Sequence, residues 1–159
     1  MSRRPTIPLY DWRIAVHLEG AQHVQRQDGM PAVGCDCDNC VWWREIYRDV
    51  LPEKLQQQLP RFGADLDRPS DVHPYGGSEG GLYDFRVQFH TVGKILSTAG
   101  SDEQFVEIQN EPLRITMQVV RGHKLYFYTP DIPDASWGDV LCIEIWVYGV
   151  ERDRPATQS

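Results

Sequence analysis

Long apolar runs are missing from this 159-residue chain. No segment approaches the ~20 consecutive apolar residues that a membrane-spanning helix needs. The start "MSRRPTIPLYDW" is positively charged but has no apolar stretch behind it, so a secretory signal is not expected either. Positive charge is scarce: 16 Lys and Arg stand against 23 Asp and Glu, a formal net charge of −7, and no basic run exceeds Arg3–Arg4. Nucleic acids and anionic membranes want a positive field, so this balance argues against both as partners. Lys is rarer still, three against thirteen Arg. We read that as codon bias from a GC-rich genome.

Complete catalytic motifs are also absent: there is no G-x-S-x-G, H-E-x-x-H or Walker pattern. The glycine-rich "GGSEGG" (76–81) lacks the Lys-Ser/Thr of a phosphate loop and leads into a strand. "DLDRPSD" (65–71) lacks the Gly and Glu of a calcium loop, and its acids read as turn formers.

What is present is ordinary for one globular domain: 41% apolar and 25% charged residues, in a chain long enough to bury a core. Residues 1–159 read as a single domain, with frayed tails expected over 1–9 and 151–159. The expected compartment is the cytoplasm, where thiols stay reduced and clustered cysteines favour metal over disulfides.

Periodicity gives an α+β fold, a mostly antiparallel sheet of five or six strands with one main and one short helix packed on one face. Over Asp11–Leu18, Trp12, Ile14, Val16 and Leu18 alternate with Asp11, Arg13, Ala15 and His17, the pattern of a half-buried strand, and 19–34 then reads as a loop. Trp42/Trp43, Ile46/Tyr47 and Val50/Leu51 recur every four residues, which is a helix face; Asp38 or Asn39 is its expected cap. After Pro52 a short helix over 53–59 places Leu55 and Leu59 inward, and 61–81 reads as a loop. Strands follow at Tyr83–His90, Phe105–Gln109, Leu113–Val119, Lys124–Thr129 and Val140–Tyr148. Their short connections make neighbours antiparallel.

Two features carry candidate chemistry. In "GCDCDNC" (34–40), Cys37 and Cys40 form a C-x-x-C pair and Cys35 adds a third thiol, candidate ligands for zinc (Zn) at the start of the main helix. No second C-x-x-C or H-x3-5-H completes a tetrahedral set. A fourth ligand has to come singly, from His17, His23, His73, His90 or Cys142. The plain alternative is three small residues in a tight loop. A thioredoxin-like role fits poorly, because that motif follows a strand in a βαβ unit. A nucleophilic cysteine with His90 as base is a further alternative.

The second feature is the sheet face away from the helix. It carries His17, His90, Arg13, Arg86, Arg114, Gln88, Gln118, Glu144, Trp146 and Tyr148. We take His17, His90, Arg86, Glu144 and Trp146 as a candidate binding surface. The competing reading is simply a solvated face.

Together, "CDCDNC", the second helix running into "FGADLDRPSDVHPYG", and "LYDFRVQFHTVGKIL" resemble a family of small bacterial proteins of unknown function. Its members have a Cys-x-Cys-x-x-Cys cluster before a helix and a strand ending in aromatic-His-x-Val-Gly. The likeness covers Cys35 to Leu96 and extends loosely to "VLCIEIWV". It singles out Cys35, Cys37, Cys40, Gly63, Asp65, His90 and Gly93, and implies a fold but no reaction. Ala64, where a β-branched residue is expected, and the extra acid Asp67 depart from the pattern. The functional expectation is a soluble binding or partner-masking, immunity-like domain for another protein, stabilised by a structural metal. The alternative is a metal- or cysteine-dependent enzyme with the thiols near His90.

Overall fold

Seven strands form one sheet in the computed structural model, which describes residues 5–9, 12–27, 35–77, 82–96, 105–110, 113–120 and 132–151. In chain order the elements are β1 (Thr6–Leu9), β2 (Trp12–Val16), α1 (Leu18–Gln25), α2 (Asp38–Val50), α3 (Glu53–Gln58), β3 (Asp71–Gly77), β4 (Leu82–Leu96), β5 (Phe105–Asn110), β6 (Leu113–Val119) and β7 (Asp139–Glu151). The strand order is β1–β2–β4–β7–β6–β5, with β3 also on β4. Every pairing is antiparallel. The α+β class expected from the alternation is therefore what the chain adopts.

The long strand β4 organises the sheet. One of its edges runs along β7 from Leu82 to Gly93. The other is shared: β3 pairs with residues 83–88 and β2 with residues 93–96. Helix α1 fills the notch between them, where the Gln25 side chain donates to the His90 carbonyl at 3.2 Å. That satisfies a backbone acceptor that a missing strand would otherwise leave open.

Alternation fixes two faces. Phe85, Val87 and Phe89 of β4 lie beside Val147, Ile145 and Ile143 of β7, which lie beside Leu113, Ile115 and Met117 of β6. All are buried in one core with Ile7, Leu9, Ile14, Trp42, Trp43, Tyr47, Leu55 and Phe62, and Trp12 and Ile46 pack against it. Thus α2 and α3 cover a single face, as the periodicity predicts. Trp42 meets Phe85 edge-on at 4.7 Å, and Trp43 meets Phe85 and Phe89 at 5.9 and 6.3 Å. The Trp43 indole N–H donates to the Leu66 carbonyl at 2.7 Å, so the buried ring leaves no orphan donor.

Several local expectations are corrected. Thr6–Leu9 is a strand with Ile7 and Leu9 buried, not a tail. Leu18 does not extend β2. It begins α1, a helix inside the segment read as a loop. Here small residues do the packing: a Cβ on Gly20 would lie 2.9 Å from Val92 Cγ1. Val24 joins Val92 and Val140 in a small second core on the opposite face, so that face is partly covered. β3 was hidden by Pro74, which an edge strand tolerates. Asp65 does act as a turn former, its carboxylate accepting the Asp67 N–H at 3.0 Å. The strand expected at Lys124–Thr129 and the tail 152–159 lie outside the described residues. None of the described helices is long and apolar enough to cross a membrane.

Candidate metal centre and polar sheet face

Cys37, not Asp38 or Asn39, caps α2. Its backbone is extended (φ −64°, ψ 158°), and its Sγ accepts the backbone N–H of Cys40, three residues on, at 3.5 Å. A sulfur thus takes the place a Ser or Asp oxygen usually fills at a helix start. The same geometry brings Cys40 round one turn to face Cys37. Cys35 is tied in by Arg44, whose guanidinium donates to the Cys35 carbonyl at 3.0 Å. Arg44 also lies 3.6 Å from Asp36, but that carboxylate is almost fully exposed and the ion pair contributes little.

As a result the sulfurs of Cys35, Cys37 and Cys40 all lie within 4.8 Å of one another. Three thiolates bound to zinc at ~2.3 Å in tetrahedral geometry sit roughly 3.8 Å apart. Closing the triad on such an ion needs side-chain shifts of about 1 Å or less, so the residues fit a thiophilic metal. Among the described residues no fourth His, Cys, Asp or Glu joins the group. His17, His23, His73, His90 and Cys142 are all elsewhere.

The three thiols differ in setting. Cys37 is exposed, Cys35 intermediate and Cys40 buried. Burial pushes the Cys40 thiol well up, and the Cys35 and Cys37 sulfurs add to that. For Cys37 burial also acts upward, but the Cys40 amide, the Cys35 and Cys40 side chains and the Asn39 amide outweigh it and lower the thiol. A metal would draw the proton from all three.

The polar face is less wet than its composition suggests. His17 is buried as the cap of α1, accepting the Gly20 N–H on Nδ1 at 2.9 Å and stacking on Trp137 at 4.8 Å. His90 is 2% exposed, and its Nδ1 lies 2.8 Å from the Ser70 hydroxyl. Burial lowers its imidazole to about 4, so it is neutral at ordinary pH. Glu144, 8% exposed, accepts the Gln88 side-chain N–H at 2.6 Å. His17, His90 and Glu144 are therefore internal, a correction to the surface expected from alternation. Alternation tells which side of a sheet a residue faces, not whether that side is covered.

The exposed aromatic residues of this face gather at one corner. Arg86 pairs with Asp71 at 3.5 Å. Tyr75 of β3 stacks on Trp146 of β7 at 4.9 Å with an interplanar angle of 24°. The Arg86 guanidinium lies 5.7 and 5.9 Å from these two rings, and that of Arg114 lies 5.7 Å from Trp146. Tyr75 and Tyr148 are exposed. Of the five expected surface residues, Arg86 and Trp146 meet here. Tyr75 was missed because it sits in a stretch full of turn signals. Its pairing with His73 and Val72 in a strand-like alternation was the only clue.

The sheet does not bring His90 to the thiols. Its ring faces the side away from Trp42 and Trp43, whereas the cysteines stand at the start of the helix packed on the other side. Comparison of the chain with protein families, curated proteins and solved structures finds no match.

Proposed function

We propose that the chain is a non-enzymatic, soluble cytoplasmic domain that binds another protein in a partner-masking, immunity-like manner. Its main helix is fastened at its start by zinc on Cys35, Cys37 and Cys40. The observation that carries this reading is the corner of Tyr75, Trp146 and Arg86. Tyr, Trp and Arg are the residues in which binding energy concentrates at protein interfaces. Stacking on one another in the free domain, they lose little freedom on docking. The net charge of −7 supports a basic partner surface, since complementary fields speed association.

The reading with a reactive thiol near His90 is weaker, because the two lie on opposite sides of the sheet. The test is affinity capture with the wild-type domain and with Tyr75→Ala and Trp146→Ala. The expected result is one protein held stoichiometrically by the wild type and lost by at least ~10-fold with either variant. Equal recovery by all three would remove the corner from the account.

A further inference from the structure

We propose that Cys37 and Cys40 form an exchange-active dithiol, with Cys37 attacking a small disulfide of the glutathione class and Cys40 resolving the mixed disulfide. This goes beyond the binding role and uses the thiols in their metal-free form.

Three features of the triad carry it. The first is access: Cys37 is exposed and Cys40 buried, so an incoming disulfide meets Cys37 first. The second is position, since Cys37 caps α2 and its sulfur accepts the Cys40 N–H. That contact holds the Cys37 sulfur close to Cys40. The third is reach. The two sulfurs lie within 4.8 Å, and side-chain rotation can close such a gap to the ~2.0 Å of a disulfide. The surrounding fold is not a βαβ unit, the setting in which a thioredoxin-like C-x-x-C stands. Local geometry at the cap is independent of what precedes it in the sheet.

The chemistry balances as two exchanges. The Cys37 thiolate attacks one sulfur of the small disulfide, that S–S bond breaks, and one thiolate leaves and takes up a proton. Cys40 then attacks the Cys37 sulfur, giving up its thiol proton to the second small thiolate as that thiolate leaves. Two protein thiols are oxidised to one disulfide while one small disulfide is reduced to two thiols. Cys35 takes no part in the exchange.

The test uses the whole chain, reduced and freed of metal with a chelator, equilibrated in glutathione buffers from fully reduced to fully oxidised. Samples are acid-quenched, alkylated and mapped by peptide mass. The expected result is a Cys37–Cys40 link appearing in one transition, with the first glutathione adduct forming on Cys37 at least ~10-fold faster than on Cys40. Cys40→Ser, checked for a native melting curve, is expected to stop at the Cys37 adduct. Absence of the link at every ratio overturns the proposal, as does a first adduct on Cys35 or Cys40. Metal content is measured on the same preparation before the chelator is added. A missing metal sinks the zinc reading and leaves this one standing, and a missing link does the reverse.

Discussion

His90 shows how a single residue can be placed by sequence and misjudged in environment. Alternation put it opposite the tryptophan helix, and there it is. It is nonetheless 2% exposed, against Ser70 and beneath α1, whose Gln25 holds its carbonyl. Its folded pKa of about 4 lies below the ordinary 6.5, so the unfolded chain binds the proton first as pH falls. Stability is therefore full above the unfolded value, falls as pH drops from 6.5 towards about 4, and levels off below. The expected loss is about 3 kcal/mol. His90→Gln, which keeps a polar partner for Ser70, is expected to flatten that slope in urea titrations between pH 7 and pH 4. An identical slope in the variant would assign the acid sensitivity to other groups.

Cys37 teaches the converse. Its cluster was plain in the sequence, but its service as a helix cap was not, because Asp38 and Asn39 beside it are better cap formers on propensity alone. With zinc bound as proposed, Cys37→Ser is expected to lower the melting temperature by ~5 °C or more, since it removes a metal ligand while its hydroxyl can still cap the helix. A chelator should do the same to the wild type and add little to the variant. Superimposable melting curves would contradict this.

At the scale of elements, what was legible followed from side-chain size. Strands β2, β4, β6 and β7 announced themselves through large alternating apolar residues, and α2 through its paired aromatic stripe. Helix α1 was not legible, because it packs through Gly20, Ala21 and Val24, of which only Val24 gives a strong apolar signal. Its purpose, to plug the notch on β4, exists only once β2 and β3 have paired. Strand β3 was masked by turn residues at 69–77, and its two-part pairing with β4 requires the whole register to be known.

Gly93, where β2 begins to pair with β4, marks the tightest of these junctions. A Cβ there would lie 2.0 Å from the Ala15 carbonyl oxygen, and neither backbone can yield without breaking the β2–β4 pairing. Gly93→Ala is expected to cost about 2–3 kcal/mol or more, read as a lower urea midpoint with unchanged slope. A midpoint equal to the wild type would mean the strands can part there cheaply. Trp43→Ala, which empties a fully buried site and leaves the Leu66 carbonyl unpaired, is expected to cost about 3–5 kcal/mol by the same measurement.

At the scale of the molecule, the sheet divides the chain into two regions. One side holds the main core under α2 and α3. The other holds a line of internal polar residues that ends in the stacked Tyr75–Trp146 corner with Arg86. This division separates the thiols from His90 and leaves the cysteines at the start of α2, the helix that carries Trp42 and Trp43 of the core. The most direct test is elemental analysis and zinc X-ray absorption on reduced, tag-free protein. The account predicts one zinc per chain with three sulfur neighbours at ~2.3 Å, lost in Cys37→Ser. Protein that holds no metal when fresh and takes up none when zinc is supplied would contradict it.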